Sequence, residues 1–300
     1  MASEKWRAPR PRFFGSSLVT YHSSLLFKVV EPCQQTEAPR ERAVEPPASR
    51  RPESRDSGWR YRLSYLRSLV FTNLLIYAYT AVLGTLSLAG SLWDAGGRWQ
   101  HGCARVWAWL ILKTSGIRVK VEGLEHVNPA ETVIFCVNHP SAMDIPILLA
   151  NLTVQFRFVA KRELFLLPFL GWHLRRSGHI AVERGRPKEA MKGFEEAALK
   201  VRAGRSVVMF PEGSRSRTGA MLPFKSGSFY LAIRAGVPVV PITLNGTRYV
   251  LKPDTYHVRP GQTEMIVHEP IPTAGLVLDD VPSLSERVRT AILSRFVAEG

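Results

Sequence analysis

Thr132-Val133-Ile134-Phe135-Cys136-Val137-Asn138-His139-Pro140-Ser141-Ala142-Met143-Asp144 is the stretch that decides the fold. Its first six residues are apolar or β-branched, as in a strand buried on both faces. Pro140 stands where a helix would start, since the first helical amide has no intrahelical partner to lose. Ala142 to Leu149 can continue that helix. His139 is thereby expected at the N-cap, at the C-terminal mouth of a strand, where open α/β sheets hold their ligands. Helical side chains lean toward the N-terminus, so Asp144 is expected to reach the imidazole from the second turn. A carboxylate on one ring nitrogen leaves the other free to take a proton. A capping histidine and a surface aspartate would give the same spacing, so the rest of the chain has to decide.

Downstream and upstream of this stretch, from Gly116, short apolar runs alternate with helical patterns. Strands are expected at Arg118 to Glu122, Thr132 to Val137, Arg157 to Ala160, His179 to Val182, Ser206 to Phe210, Val239 to Asn245 and Glu264 to His268. Helices are expected at Pro140 to Leu152, with Pro146 as a possible bend, and at Pro187 to Ala203, Gly227 to Ala235 and Leu284 to Glu299. Such alternation implies an α/β domain over residues 116–300, a mixed, largely parallel sheet flanked by helices.

The first 115 residues differ. Residues 1–58 carry Pro, Arg, Glu and Ser with few large apolar side chains, most clearly from Glu37 to Ser57, and are expected to be a disordered basic tail. The apolar patch Ser17 to Val30 is broken by Tyr21, His22 and two serines, unlike a signal peptide. A start codon placed too far upstream would give the same composition. Residues 59–115 are expected to anchor the chain to a membrane. Leu69 to Trp93 contains no charge, is long enough to span the hydrocarbon core, and is flanked by Tyr61, Arg62, Tyr65 and Arg67. Trp99 to Lys113 is shorter and amphipathic, as in an interfacial helix. Basic segments lie on both sides of the apolar run, which favours a membrane-embedded helical hairpin with both ends, and the downstream domain, on the cytoplasmic face.

The 40 Lys and Arg against 25 Asp and Glu give a net charge of +15, a bias toward anionic partners such as lipid head groups, CoA or nucleic acid. Cys33, Cys103 and Cys136 have no metal-ligand or CxxC spacing, which fits a reducing compartment. The histidines other than His139 form no cluster at ligand spacing, so no metal is expected.

Four further blocks fall at strand ends. Phe158 to Leu164 places Lys161 at the end of one strand, and Gly178 to Arg184 places Arg184 at the end of another. Phe210-Pro211-Glu212-Gly213-Ser214-Arg215-Ser216 follows Val207-Val208-Met209, and Val237-Pro238-Val239-Val240-Pro241 opens the sixth strand. Singly, each reads as a solvated charge or a plain turn. Together they resemble the glycerolipid acyltransferase family across about residues 60–275. The family's N-H-x-x-x-x-D is met by Asn138, His139 and Asp144, and its G-x-I-x-x-x-R by Gly178, Ile180 and Arg184. F-P-E-G-T-R-S is met from Phe210 with Ser214 for Thr, and V-P-I-x-P with Val239 for Ile.

The resemblance implies transfer of a fatty acyl group from acyl-CoA or acyl carrier protein to the sn-2 hydroxyl of lysophosphatidic acid, giving phosphatidic acid, with no cofactor and no covalent acyl-enzyme. An alcohol needs a base as its C–O bond forms, and His139 would be that base, oriented by Asp144. Arg215 is the leading ligand for the acceptor's phosphate, with Arg184 and Lys161 in support. Glu212, Gly213 and Ser214 would shape the acceptor pocket, and the Gly213 amide is a candidate oxyanion donor. Membrane phospholipids and a lysophospholipid acceptor are the expected partners. Leu164 to Leu170 lines an acyl groove, dips into the bilayer or is ordinary core. Other lysolipids, such as lyso-ornithine lipid, would use the same machinery. A non-catalytic binder of anionic lipid or nucleic acid would not need the His139–Asp144 pair, and no aromatic–basic nucleic-acid motif is present. A hydrolase, in which base-activated water attacks the same thioester, is a third alternative, though no G-x-S-x-G elbow occurs.

Overall fold

The computed structural model describes residues 58–94, 96–183 and 187–298. All but the last residue of the tail expected over 1–58 lies outside that range. The core is a seven-stranded sheet of β1 (Ile117–Glu122), β2 (Ile134–Val137), β3 (Phe156–Lys161), β4 (Ile180–Val182), β5 (Ser206–Met209), β6 (Val239–Asn245) and β7 (Gly261–Val267). Its order is β1-β7-β6-β2-β5-β3-β4. Every neighbouring pair is parallel except β6 with β7, so the sheet is mixed and largely parallel, as expected.

The central strands β2, β5 and β6 are almost wholly buried and mostly apolar because helices cover both faces, whereas the edge strand β1 alternates with exposed charges. On β2, Phe135 and Val137 point to one core while Ile134 and Cys136 point to the other. The first core packs against α3 (Arg98–Ser115) and α4 (Asp144–Asn151) through Ala108, Ile111, Ile147 and Leu148. The second packs against α6 (Pro187–Arg202), α7 (Gly227–Ala235) and α9 (Val281–Leu293) through Ala197, Val201, Phe229, Leu231 and Leu284. Two short helices, α5 (Leu170–Arg176) and α8 (Thr247–Val250), were not expected from periodicity, being too short to show one. Pro241 lies inside the central strand β6, an unusual place for a residue without an amide. It is tolerated because β6–β7 pairing begins only at Ile242.

The helix after β2 starts at Asp144, not Pro140. Side-chain bonds hold Pro140 to Met143 in a turn instead. The Ser141 amide donates to Asp144 Oδ2 at 2.9 Å, Ser141 Oγ donates to the Leu251 carbonyl at 2.7 Å, and Met143 N donates to Ser141 Oγ at 3.1 Å. Serine and aspartate compete with helical bonding in this way. Asp144 is therefore the first helical residue rather than one in the second turn.

The apolar segment is also longer than expected. α1 (Gly58–Arg67), a π-helical turn (Ser68–Thr72) and α2 (Asn73–Gly90) form one continuous rod. The portion from Tyr61 to Gly90 is long and apolar enough to cross a membrane, and only 11 % of an 18-residue apolar window within it is buried. The π turn has a local cause. Ser68 Oγ and Asn73 Nδ2 both donate to the Tyr256 carbonyl at 3.0 Å. Residues five apart face the same way only where the turn is widened. α2 and α3 then pack as an antiparallel hairpin joined by Ser91 to Gly97. Trp107 Nε1 donates to Thr80 Oγ1 at 2.9 Å and Trp99 Nε1 to the Leu86 carbonyl at 3.0 Å. Asp94 accepts the Gly96 and Trp99 amides at 2.8 and 2.6 Å and so caps α3.

Leu164 to Leu170 is not ordinary core. Phe165 is buried, but Leu166 is 70 % exposed, and Phe169 lies within 3.3 Å of where a Cβ on Gly84 of α2 would stand. Exposed Trp172 extends the same apolar surface beside the hairpin.

Candidate active site

β2, β3, β5 and β6 run in one direction, so their C-terminal ends share one edge of the sheet. That edge gathers Asn138 and His139 after β2, Phe210 to Ser216 after β5, Lys161 at the end of β3, and Gly246 to Val250 after β6.

Asn138 fixes the base of the site. Its amide donates to the Leu244 carbonyl at 2.9 Å and accepts the Leu244 amide at 2.7 Å, continuing the β2–β6 ladder by side chain. His139 follows, 14 % exposed, with Nδ1 at 2.7 Å from Asp144 Oδ2. Asp144 is wholly buried, and its Oδ2 also accepts the Ser141 amide, so its carboxylate cannot swing away from the ring. With Nδ1 held as the donor, Nε2 is left as the basic nitrogen. The Phe210 ring stacks on the imidazole, with centroids 3.9 Å apart and planes 19° apart. This stacking holds the plane of the imidazole. In the sequence Phe210 and Asn138 stand out only as motif members. Their roles come from packing across strands that are remote in sequence.

Glu212 faces the protein rather than an open pocket. Oε1 accepts the His139 amide at 2.7 Å and Oε2 accepts the Leu222 amide at 2.8 Å. It thus ties the β5 loop to the backbone that carries the base. Burial pushes its carboxyl up to about 7, helped by the Asp144 charge and opposed by the two amide bonds and Arg289. Its ordinary value is 4.5, so between about pH 4.5 and 7 the folded state holds a proton that the unfolded state has lost. Stability from this group therefore falls as pH rises through that window. Thermal unfolding in detergent is expected to show wild type losing about 2 kcal/mol more than Glu212→Gln between pH 5 and 7.5. Parallel pH profiles would contradict the assignment.

Gly213 has φ +73° and sits against the Lys225 side chain, and its amide donates to the Phe210 carbonyl at 2.9 Å. That bond uses the amide expected as an oxyanion donor, so in this structure Gly213 supplies the turn and not the donor. The left-handed conformation is why glycine is needed there. Ser214 is exposed. Arg215 is nearly enclosed, its side chain 9 % exposed, with Nη2 3.6 Å from Asp254 Oδ1. Burial lowers its pKa, while Asp254 and Asp144 both raise it, which puts the guanidinium within the field of the His139–Asp144 pair. The next residue locks the loop to the base, since the Ser216 amide donates to the His139 carbonyl at 3.3 Å. Arg248, buried on α8, donates from Nη1 to the Ser216 carbonyl at 3.3 Å.

Lys161 lies two strands from β2, about 10 Å away at ordinary strand spacing, and pairs with Glu163 at 3.0 Å. Arg184 lies outside the described residues. Among the described residues no cluster of His, Cys, Asp or Glu is arranged to hold a metal ion. Asp254 and Arg248 carry no sequence signal because their contacts join loops that no motif spans, and Ser141 stands at a position the N-H-x-x-x-x-D motif leaves open.

A family model described as acyltransferase matches residues 118–245, which contain every one of these site residues except Arg248 and Asp254. The chain is 36 % identical over 182 residues to human 1-acyl-sn-glycerol-3-phosphate acyltransferase alpha, covering 60 % of this chain and 64 % of that one. It thus spans a little under two thirds of that relative's length. An uncharacterised acyltransferase of Schizosaccharomyces pombe is 30 % identical over 201 residues, covering 66 % of this chain and 72 % of that one. Among solved structures, the 1-acyl-sn-glycerophosphate (LPA) acyltransferase PlsC from Thermotoga maritima superposes with a TM-score of 0.63 at 25 % identity, covering 77 % of this chain and 98 % of that one. The matched sequences and the superposed fold agree with one another, and the chain belongs to the acyltransferase family.

Proposed function

We propose that this protein transfers a fatty acyl group from acyl-CoA or acyl carrier protein to the sn-2 hydroxyl of lysophosphatidic acid, forming phosphatidic acid. The observation that carries the reading is the buried Asp144 carboxylate 2.7 Å from His139 Nδ1, beside an enclosed arginine at the same sheet edge. His139 Nε2 takes the hydroxyl proton as the acceptor oxygen attacks the thioester carbonyl. The tetrahedral adduct collapses with loss of the thiolate, which leaves with a proton. Arg215 holds the acceptor's phosphate, supported by Lys161 and Arg184, and no cofactor takes part. The names of the matched relatives support the acceptor class.

The exposed apolar hairpin lies in the cytoplasmic leaflet in this reading, with both ends and the catalytic domain on the cytoplasmic face. Leu166, Phe169 and Trp172 extend the inserted surface. Basic residues beside an anionic leaflet add about 1 kcal/mol each.

The test is a panel of acceptors offered to the purified protein in mixed micelles, with both donors. Lysophosphatidic acid is expected to be the preferred acceptor over lysophosphatidylcholine and lyso-ornithine lipid. Preference for an acceptor lacking a phosphate monoester would move the assignment to that lysolipid.

A further inference from the structure

The enclosed guanidinium of Arg215 is not waiting empty-handed. Asp254, in the loop between α8 and β7, places Oδ1 3.6 Å from Arg215 Nη2 and Oδ2 3.3 Å from Arg217 Nε. One carboxylate therefore bridges two arginines of the β5 loop, the loop whose Ser216 amide is bonded to the His139 carbonyl. Asp254 is half-exposed and holds φ +60°, a left-handed conformation that few residues other than glycine adopt. Two residues on, the loop is pinned. The Tyr256 carbonyl accepts Ser68 Oγ and Asn73 Nδ2, and the Val258 amide donates to Ser68 Oγ at 2.8 Å. The carboxylate is thus carried into place by a loop fastened to the π turn of the apolar rod.

Two guanidinium groups bridged by a carboxylate at 3.3–3.6 Å form a loose pair, since close charge-assisted contacts run nearer 2.7–2.9 Å. A phosphate monoester offers more charge and more acceptor oxygens to the same donors. We propose that Asp254 is the resting occupant of the acceptor's phosphate position, an internal anion that holds Arg215 and Arg217 until a phosphate monoester displaces it. Such an occupant weakens every anionic head group by one common factor and keeps weak binders out. It also spares a buried guanidinium from standing unpaired between turnovers.

The inference rests on the reading of Arg215 as the phosphate ligand, and the test separates the two. Asp254→Asn removes the charge, and asparagine tolerates the same backbone conformation. The variant is expected to lower KM for lysophosphatidic acid by about two- to fivefold, the value of a partly exposed ion pair. The inhibition constant of inorganic phosphate, competing with the acceptor, is expected to fall by the same factor, while KM for acyl-CoA stays put. An unchanged or raised acceptor KM would overturn the proposal, as would a lowered KM without a matching change for inorganic phosphate. If Arg215→Met leaves acceptor KM unchanged, the phosphate reading itself fails. If Arg215→Met raises it and Asp254→Asn does not lower it, only the present inference does.

Discussion

Replacing His139 with alanine is expected to lower kcat for acyl transfer by about 10²- to 10⁴-fold, the range a positioned general base supplies. The effect falls on kcat because the acceptor's phosphate is held by other residues, so KM for the acceptor should move little. The variant should fold. His139 is a partly exposed side chain at a strand end, and its backbone amide remains bonded to Glu212. Thermal unfolding within a few degrees of wild type, measured beside steady-state rates with labelled acyl donor, checks this. A loss of less than tenfold would place the base elsewhere. In that variant Asp144 keeps the Ser141 amide and loses the imidazole.

Arg215→Met is expected to act on the other kinetic constant. A charge-assisted bond to phosphate is worth about 1.5–3 kcal/mol, so acceptor KM should rise about ten- to hundredfold with kcat changed far less. Arg215→Lys should recover part of this, since an ammonium keeps the charge but not the planar fork. Measuring both variants against lysophosphatidic acid over a range of ionic strength separates a buried contact from general attraction. An enclosed side chain, 9 % exposed, should lose little of its contribution to salt. A strongly salt-dependent effect would mark Arg215 as a surface charge that merely attracts the lipid.

Much of this was legible in the residues. All seven strands lie close to the apolar or alternating runs expected to form them, and those at the centre of the sheet are nearly continuous because both of their faces are covered. The His139–Asp144 spacing was legible too, but the route between them was not. Pro140 and the apolar residues after it fit a helix start equally well, and only the bonds from Ser141 to Leu251 and Asp144 stop one forming. Those partners are distant or depend on the turn itself, so no local pattern announces them. Gly213 shows the same limit in reverse. Its glycine predicted a permissive turn, which the φ of +73° bears out, but the amide's partner depends on how tightly the turn closes. Asp254 carries no sequence signal, since an aspartate in a polar loop looks like any other until the fold lays it across Arg215 and Arg217.

The central claim is that His139 activates a lipid hydroxyl to receive an acyl group directly from a thioester. The most direct measurement incubates the purified protein in phospholipid vesicles with acyl-CoA, with and without lysophosphatidic acid, and follows both free CoA and lipid products. The account predicts phosphatidic acid and CoA in equal amounts, only when the acceptor is present, and both formed at least about a hundredfold more slowly by His139→Ala. Release of CoA with free fatty acid, at the same rate whether or not lysophosphatidic acid is supplied, would contradict it.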